Sequence, residues 1–168
     1  LEHALEHEEF VVLYQPVVDM QTQRMTSVEA LVRWQHPRDG LLGPYHFIAD
    51  AEANGLIVPL GRWVLRQACA QLASWRAESP EAAGLHVNVN LSARQFQYAG
   101  LVDDVAAALA DAGLDPASLT LEITESMLMA DIESAKQTLH ALRELGVRLA
   151  IDDFGTGYSS LSYLKQLP

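Results

Sequence analysis

Cysteine is almost missing from this sequence. Cys69 stands alone, so neither a disulfide framework nor a thiolate metal cluster can be built, and a reducing, cytoplasmic setting is expected. Cations are scarce as well: eleven Lys and Arg face twenty-two Asp and Glu, a formal charge of −11. That balance excludes a general surface for nucleic-acid polymers, which needs clustered Lys and Arg, and an anionic ligand would need local cationic help. No apolar run approaches the roughly twenty residues of a membrane-spanning helix, and the N-terminal residues lack the plan of a signal peptide. Any membrane attachment of the parent protein is expected outside this stretch. The six histidines show no H-E-x-x-H or similar spacing. No tract is biased enough to suggest disorder.

What is present is enough apolar residue, 49% of 168 positions, to bury a real core in one domain or part of one. Leu1 in place of Met, and a stop at Pro168 just after an apolar stretch, give the expectation of a piece of a longer polypeptide. Residues 1–9 read as the end of a helix leading into a strand from Phe10 to about Val18. A polar turn at 19–24 and a second strand from Met25 to Trp34 make a hairpin. A short helix is expected over 44–53, with Pro44 in its first turn, and a longer one over 59–77, where Val64, Leu65, Ala68, Leu72 and Trp75 form a stripe at helical spacing. From there the pattern is regular. Strand 85–91 leads to helix 101–112, strand 119–124 to helix 132–145, and strand 147–152 to a Gly- and Ser-rich loop.

Alternation of strand and helix argues for an α/β fold with a parallel sheet or barrel. Within the strands, residues also alternate. Leu85, Val87, Val89 and Leu91 take one face, while His86, Asn88 and Asn90 take the other. Thr120, Glu122 and Thr124 share a face, as do Arg148, Ala150 and Asp152. A parallel sheet covered by helices on both faces would read as continuously apolar. One helix-packed face and one polar face instead suit a barrel whose lumen carries functional groups. An antiparallel sheet with one wet face would look similar strand by strand, but the intervening helices weigh against it.

Glu29, Asn90, Glu122 and Asp152 lie on polar faces toward the C-terminal ends of successive strands. From Asn90 onward they recur at about the length of one strand-helix-strand unit. A barrel gathers such ends at one mouth, and hard oxygen donors gathered there favour Mg²⁺ or Mn²⁺ over zinc. Any one of them alone reads as a solvated polar residue; four together point to ligands. Asp153 follows Asp152 at a strand exit, where the turning backbone lets both carboxylates reach the mouth, and so close a pair repels unless cations intervene. Taken alone, the doublet reads equally well as a helix cap or turn acid. Arg33 points the same way as Glu29 and offers a guanidinium fork to phosphate. Gln15 offers an amide. His86 reads as a hydrogen-bonded interior residue. Phe154-Gly155-Thr156-Gly157-Tyr158-Ser159-Ser160 is a weak phosphate cradle, because Ser160 stands where a third glycine would. Asp153-Phe154-Gly155 spells a kinase triplet without the motifs that accompany it.

These segments resemble the EAL domains, bacterial phosphodiesterases for cyclic di-GMP. Val28-Glu29-Ala30-Leu31-Val32-Arg33-Trp34 carries the signature Glu-Ala-Leu. Tyr14-Gln15-Pro16, Asn90-Leu91-Ser92 with Gln95, Leu121-Glu122-Ile123-Thr124-Glu125 and the stretch from Asp152 to Ser160 follow in the family's order over essentially the whole chain. The resemblance implies a TIM-like (β/α) barrel with an irregular first strand and a site for two ions, Mg²⁺ or Mn²⁺. It implies Glu29, Asn90, Glu122 and Asp152 as metal ligands, with Asp153 helping to hold the second ion; Glu29, Asp152 and Asp153 are thereby catalytic. Gln15 and Arg33 match contacts to guanine and phosphate of the dinucleotide. Glu125 matches an acid that steadies the loop at 153–160, a loop linked in the family to dimerisation and control.

The departure is what does not appear. The family's later lysine before an aspartate, its Ala-Glu-Gly-Val-Glu segment and a final glutamine are absent, and a complete barrel needs roughly 250 residues. Residues 1–168 are therefore expected to be the N-terminal two thirds of an EAL domain, about five strands of an incomplete barrel. Either the polypeptide continues, or the chain associates with another copy. The intact domain is expected to hydrolyse cyclic di-GMP to linear 5'-pGpG, with this stretch inactive alone, as a homodimer that can carry upstream sensory or GGDEF domains. The alternative is a non-catalytic cyclic di-GMP receptor or a dimerisation module of a signalling protein.

Overall fold

A computed structural model describes residues 1–130 and 132–152. Helix α1 (Glu2–Glu6) leads into strand β1 (Phe10–Val18), which turns back into β2 (Met25–His36). Asp19 shapes that turn, its Oδ1 accepting from the backbone N–H groups of Thr22 at 2.7 Å and Gln21 at 3.1 Å, the local bonding that suits Asp to turns. The antiparallel register sets Gln15 opposite Glu29 and Leu13 opposite Leu31. A short strand β3 (Gly40–Leu42) pairs with the end of β2. Then come a 3₁₀ turn at Pro44–His46, helix α2 (Ile48–Asn54) and the long helix α3 (Ile57–Glu78).

The remainder alternates. Strand β4 (His86–Asn90) is followed by α4 (Ala93–Phe96) and α5 (Leu101–Ala112), and strand β5 (Leu119–Thr124) by α6 (Glu125–Ala130) and α7 (Ile132–Leu145). Strand β6 (Arg148–Asp152) is the last described element. The sheet order is β1-β2-β4-β5-β6, with β2, β4, β5 and β6 parallel. Neighbouring parallel strands are joined through α3, α5 and α7 in turn, the crossover arrangement that a parallel sheet requires.

Period-two patterning decides which face meets the helices. Val87, Leu119 and Leu121 are fully buried and pack with Leu65, Ala68 and Leu72 of α3, Val105 of α5 and Leu142 of α7 in one continuous core. Truncating Leu72 to Ala there would cost about 2–5 kcal/mol. The residues between them, including Asn88 and Glu122, stay partly exposed on the opposite face. Arg62 of α3 clamps α5 through a bond from its Nε to Asp104 Oδ1 at 2.7 Å. A second, smaller core of Ala4, Phe10, Phe47, Ala51, Ile57 and Leu60 seats α2 beside the C-terminal end of β2. Phe10 and Phe47 meet there with ring centres 5.4 Å apart.

The hairpin, the major helices and the parallel strands fall where sequence periodicity puts them. Three short elements do not follow from periodicity: β3, α4 and α6 span too few residues to display a repeat. Helix α3 begins at Ile57, so Pro59 sits within the first turn rather than opening it. Its missing N–H belongs to the orphan donors of that turn, which leaves the ladder intact.

Candidate functional site

The inner face, turned away from the helices, gathers the polar side chains of four neighbouring strands. Because β2, β4, β5 and β6 run parallel, their inner-face residues lie side by side: Glu29, in the first half of the long strand β2, beside Asn88, and nearer the C-terminal ends of the shorter strands Asn90 beside Glu122 and Thr124 beside Asp152. Two amides then reach diagonally across this register. Asn90 donates its Nδ2 to Glu29 Oε1 at 2.7 Å, and Asn88 donates its Nδ2 to Glu122 Oε1 at 2.8 Å. Each carboxylate is thereby oriented by a neutral donor. The Asn90 carbonyl oxygen, which cannot join a bond made by its own NH₂ group, is left to another partner.

Electrostatics at this mouth are unfavourable to ionised Glu122. Partial burial pushes the Glu122 carboxyl above its usual range; the Asn88 bond opposes that, while the charges of Glu29 and Asp152 add to it. A cation placed among the three would reverse the sign of the balance. The donor set is carboxylate and amide oxygen, the chemistry of a hard divalent ion. Among the described residues, no group of three or more His, Cys, Asp and Glu is arranged to hold a metal ion. The three carboxylates thus need the Asn90 amide and further groups to enclose one.

Gln15 stands opposite Glu29 on β1 and shares the inner face. Arg33, half-buried two pairs further along β2, donates from Nη1 to its neighbour's carbonyl at Val32, 2.9 Å away. It borders a cavity of about 460 Å³ that reaches to Asn90 and is walled by Ile48, Ile57, Leu60 and Leu91. The carboxylates themselves lie outside its walls, so the apolar hollow and the acidic mouth adjoin without overlapping. Glu125 opens α6 directly after β5. Asp153 and the loop at 153–160 lie outside the described residues.

Sequence reasoning missed two roles. Asn88 falls on the predicted polar face, but only the strand register reveals that it holds Glu122. Arg94 of α4 reaches back across forty-two residues to the carbonyl of Glu52, and to that of Ala53 at 3.3 Å, tying α4 to the end of α2. No local pattern announces such a contact. One expectation needs correcting: among the described residues His86 Nδ1 is buried without a hydrogen-bond partner. Burial, and then the charges of Arg148 and Arg76, hold its imidazole below the ordinary pKa, so it lies inside as expected but unpartnered at that nitrogen.

A parallel sheet crossed by helices, opened by an antiparallel hairpin and carrying acids and amides toward its strand ends, defines a TIM-like (β/α) barrel domain in open, incomplete form. The chain belongs to the EAL domain family, whose model matches residues 1–168. It is 49% identical over all 168 residues to a bifunctional diguanylate cyclase/cyclic di-GMP phosphodiesterase, MucR, of Pseudomonas aeruginosa, covering 24% of that protein. It is equally similar to the cyclic di-GMP phosphodiesterase NbdA of the same organism, covering 21%. Among solved structures, the MucR phosphodiesterase from P. aeruginosa in complex with c-di-GMP superposes with a TM-score of 0.94 at 48% identity, over 99% of this chain and 67% of that one. The chain thus spans about a quarter or less of the curated relatives it matches. No described helix is long and apolar enough to cross a membrane.

Proposed function

We propose that this chain supplies the Glu29–Asn90–Glu122–Asp152 side of a cyclic di-GMP phosphodiesterase. The observation that carries the reading is the pair of diagonal amide–carboxylate bonds, which hold Glu29 and Glu122 on the inner face close enough to Asp152 for the three charges to interact. Similarity to MucR and NbdA, both named for cyclic di-GMP hydrolysis, supports the substrate.

In this reading Glu29, Asn90, Glu122 and Asp152 hold the divalent cation, Mg²⁺ or Mn²⁺, and Asp153 helps to hold a second. When bound, such ions supply charge neutralisation, a more acidic water and stabilisation of the departing oxygen. The chain's own groups orient the substrate. Arg33 meets a phosphate with its fork, Gln15 offers its amide to guanine, and the neighbouring hollow excludes water from an apolar face of the ligand. Hydrolysis adds water across one phosphodiester: its oxygen ends on phosphorus, the 3' oxygen leaves as a hydroxyl, and linear 5'-pGpG results. Residues 1–168 form the N-terminal two thirds of the EAL domain, which acts as a homodimer, with Glu125 steadying the loop at 153–160. GGDEF or sensory domains upstream belong to the same reading, and the second activity in the name of MucR, diguanylate cyclase, supports a further domain beside this one.

Incubating the full-length protein with cyclic di-GMP and Mn²⁺ tests this directly. Linear 5'-pGpG is the expected product, and Glu29→Ala should abolish it. Tight binding of cyclic di-GMP with no turnover under any divalent ion would favour a receptor instead.

A further inference from the structure

The residue that sets Asn90 in place lies beyond the strand that carries it. Asn90 is the exposed last residue of β4, and the strand pairing ends one step later, where Leu91 N–H donates to Glu122 O at 2.9 Å. Only Leu91 and Ser92 then separate it from α4. That helix is four residues long, too short to be stable by itself. Yet it carries a full capping box: Ser92 Oγ accepts from Gln95 N–H at 3.2 Å, and Gln95 Oε1 accepts from Ser92 N–H at 3.2 Å. Such reciprocity fixes the backbone of the cap residue. Here what it fixes is the exit turn that begins at Asn90.

Gln95 is itself held from behind. It is 6% exposed, a rare buried polar side chain among the described residues, and its amide lies directly against Gly61 of α3. A Cβ built on Gly61 would stand 1.6 Å from Gln95 Nε2 and 2.3 Å from Cδ. Glycine in the interior of a twenty-two-residue helix weakens it relative to alanine, and nothing in α3's own conformation calls for it. The contact explains it: only a residue without a side chain lets the Gln95 amide occupy that space.

We infer that Gln95, seated against Gly61, is a positioning residue that orients the Asn90 amide toward Glu29 and the mouth. It touches neither substrate nor ion and acts through the Ser92 turn. The inference rests on the reading that Asn90 serves a divalent cation, and the test separates the two.

In the full-length protein, Gln95→Met keeps the side-chain length and loses the acceptor for Ser92. Mn²⁺ affinity, followed by electron paramagnetic resonance, should fall roughly 10- to 100-fold, and kcat with it, the usual effect of removing a group that orients a ligand. KM and the melting temperature should hardly move. Gln95→Glu keeps the accepting oxygen and should retain most of the affinity. Gly61→Ala should reproduce the loss in the parent background but add nothing to Gln95→Ala, because the methyl enters the space that the amide has left. The NMR signals of the Asn90 side-chain amide, assigned by their disappearance in Asn90→Ser, should shift in Gln95→Met without any metal present. Unshifted signals, or Gln95→Met with unchanged Mn²⁺ affinity and kcat, would overturn the assignment. A parent protein that binds no Mn²⁺ at all would instead remove the cation reading, and the amide signals would still decide the lock.

Discussion

Asn88 donates to Glu122 at 2.8 Å across neighbouring strands, thirty-four residues apart in sequence. The bond is diagonal, since the direct register partner of Glu122 on β4 is Asn90. Asn88 is therefore free to orient the carboxylate from the side of the strand start, while Asn90 lies level with it. Replacing Asn88 by Leu removes the donor at similar volume. Turnover of cyclic di-GMP should drop roughly 10- to 100-fold with the protein still folded, measured by steady-state product release alongside a melting curve.

Among the described residues, Glu122 is the acid whose ionisation the fold opposes most clearly. Its pKa is raised, first by burial and further by Glu29 and Asp152, so in metal-free protein at neutral pH its charge works against the native state. Glu122→Gln should raise the melting temperature in EDTA, because the neutral amide keeps an acceptor for Asn88 and removes the opposed charge. The same variant should lose the stabilisation that Mn²⁺ gives the parent. Calorimetry with and without the ion checks both directions.

His86 gives a pH dependence of definite sign. Burial, Arg148 and Arg76 lower its pKa from an ordinary 6.5, so the unfolded chain takes up a proton before the folded one does. The resulting stability is fully present above pH 6.5 and is lost as the pH falls through the lowered native value. His86→Gln should flatten the stability profile below pH 6.5 relative to the parent. Urea unfolding at a series of pH values, with the difference between the two proteins plotted, reads it.

Cys69 is completely buried in α3, and burial pushes its thiol up to about 11. Thiolate is the reactive form. The folded protein should resist thiol reagents at pH 7–8 and become labelled at this one position only on unfolding, which a mass-spectrometric time course with and without urea would show.

How much of this was legible beforehand depends on the length of the pattern. Strands β4 and β5 alternate cleanly, so Asn90 and Glu122 could be placed on the inner face from residue type alone. Their neighbours could not be paired, because register is a relation between strands and no single strand contains it. Asn88 shows this well: it was on the right face with no stated task. Gln95 belonged to a recognisable segment, but its burial and its contact with Gly61 join residues thirty-four positions apart. Gly61 itself reads in sequence as merely a poor helix former. The elements α4 and α6 are too short to display a repeat, and α4 owes its existence to its capping box and its tertiary contacts.

The order of charges along the inner face has a consequence of its own. In β4 the histidine comes first and the oxygen donors last; in β6 Arg148 precedes Asp152. On β6 the inner face thus runs from cation to anion, whereas on β2 Glu29 precedes Arg33, and the His86 imidazole, held below its ordinary pKa, adds no cation at neutral pH. Such a field acts before any contact is made. On the cation reading proposed above, Arg148 from the strand starts and Arg33 from further along β2 would bracket a divalent ion, so its depth would be set by the order of residues within each strand as well as by its ligands.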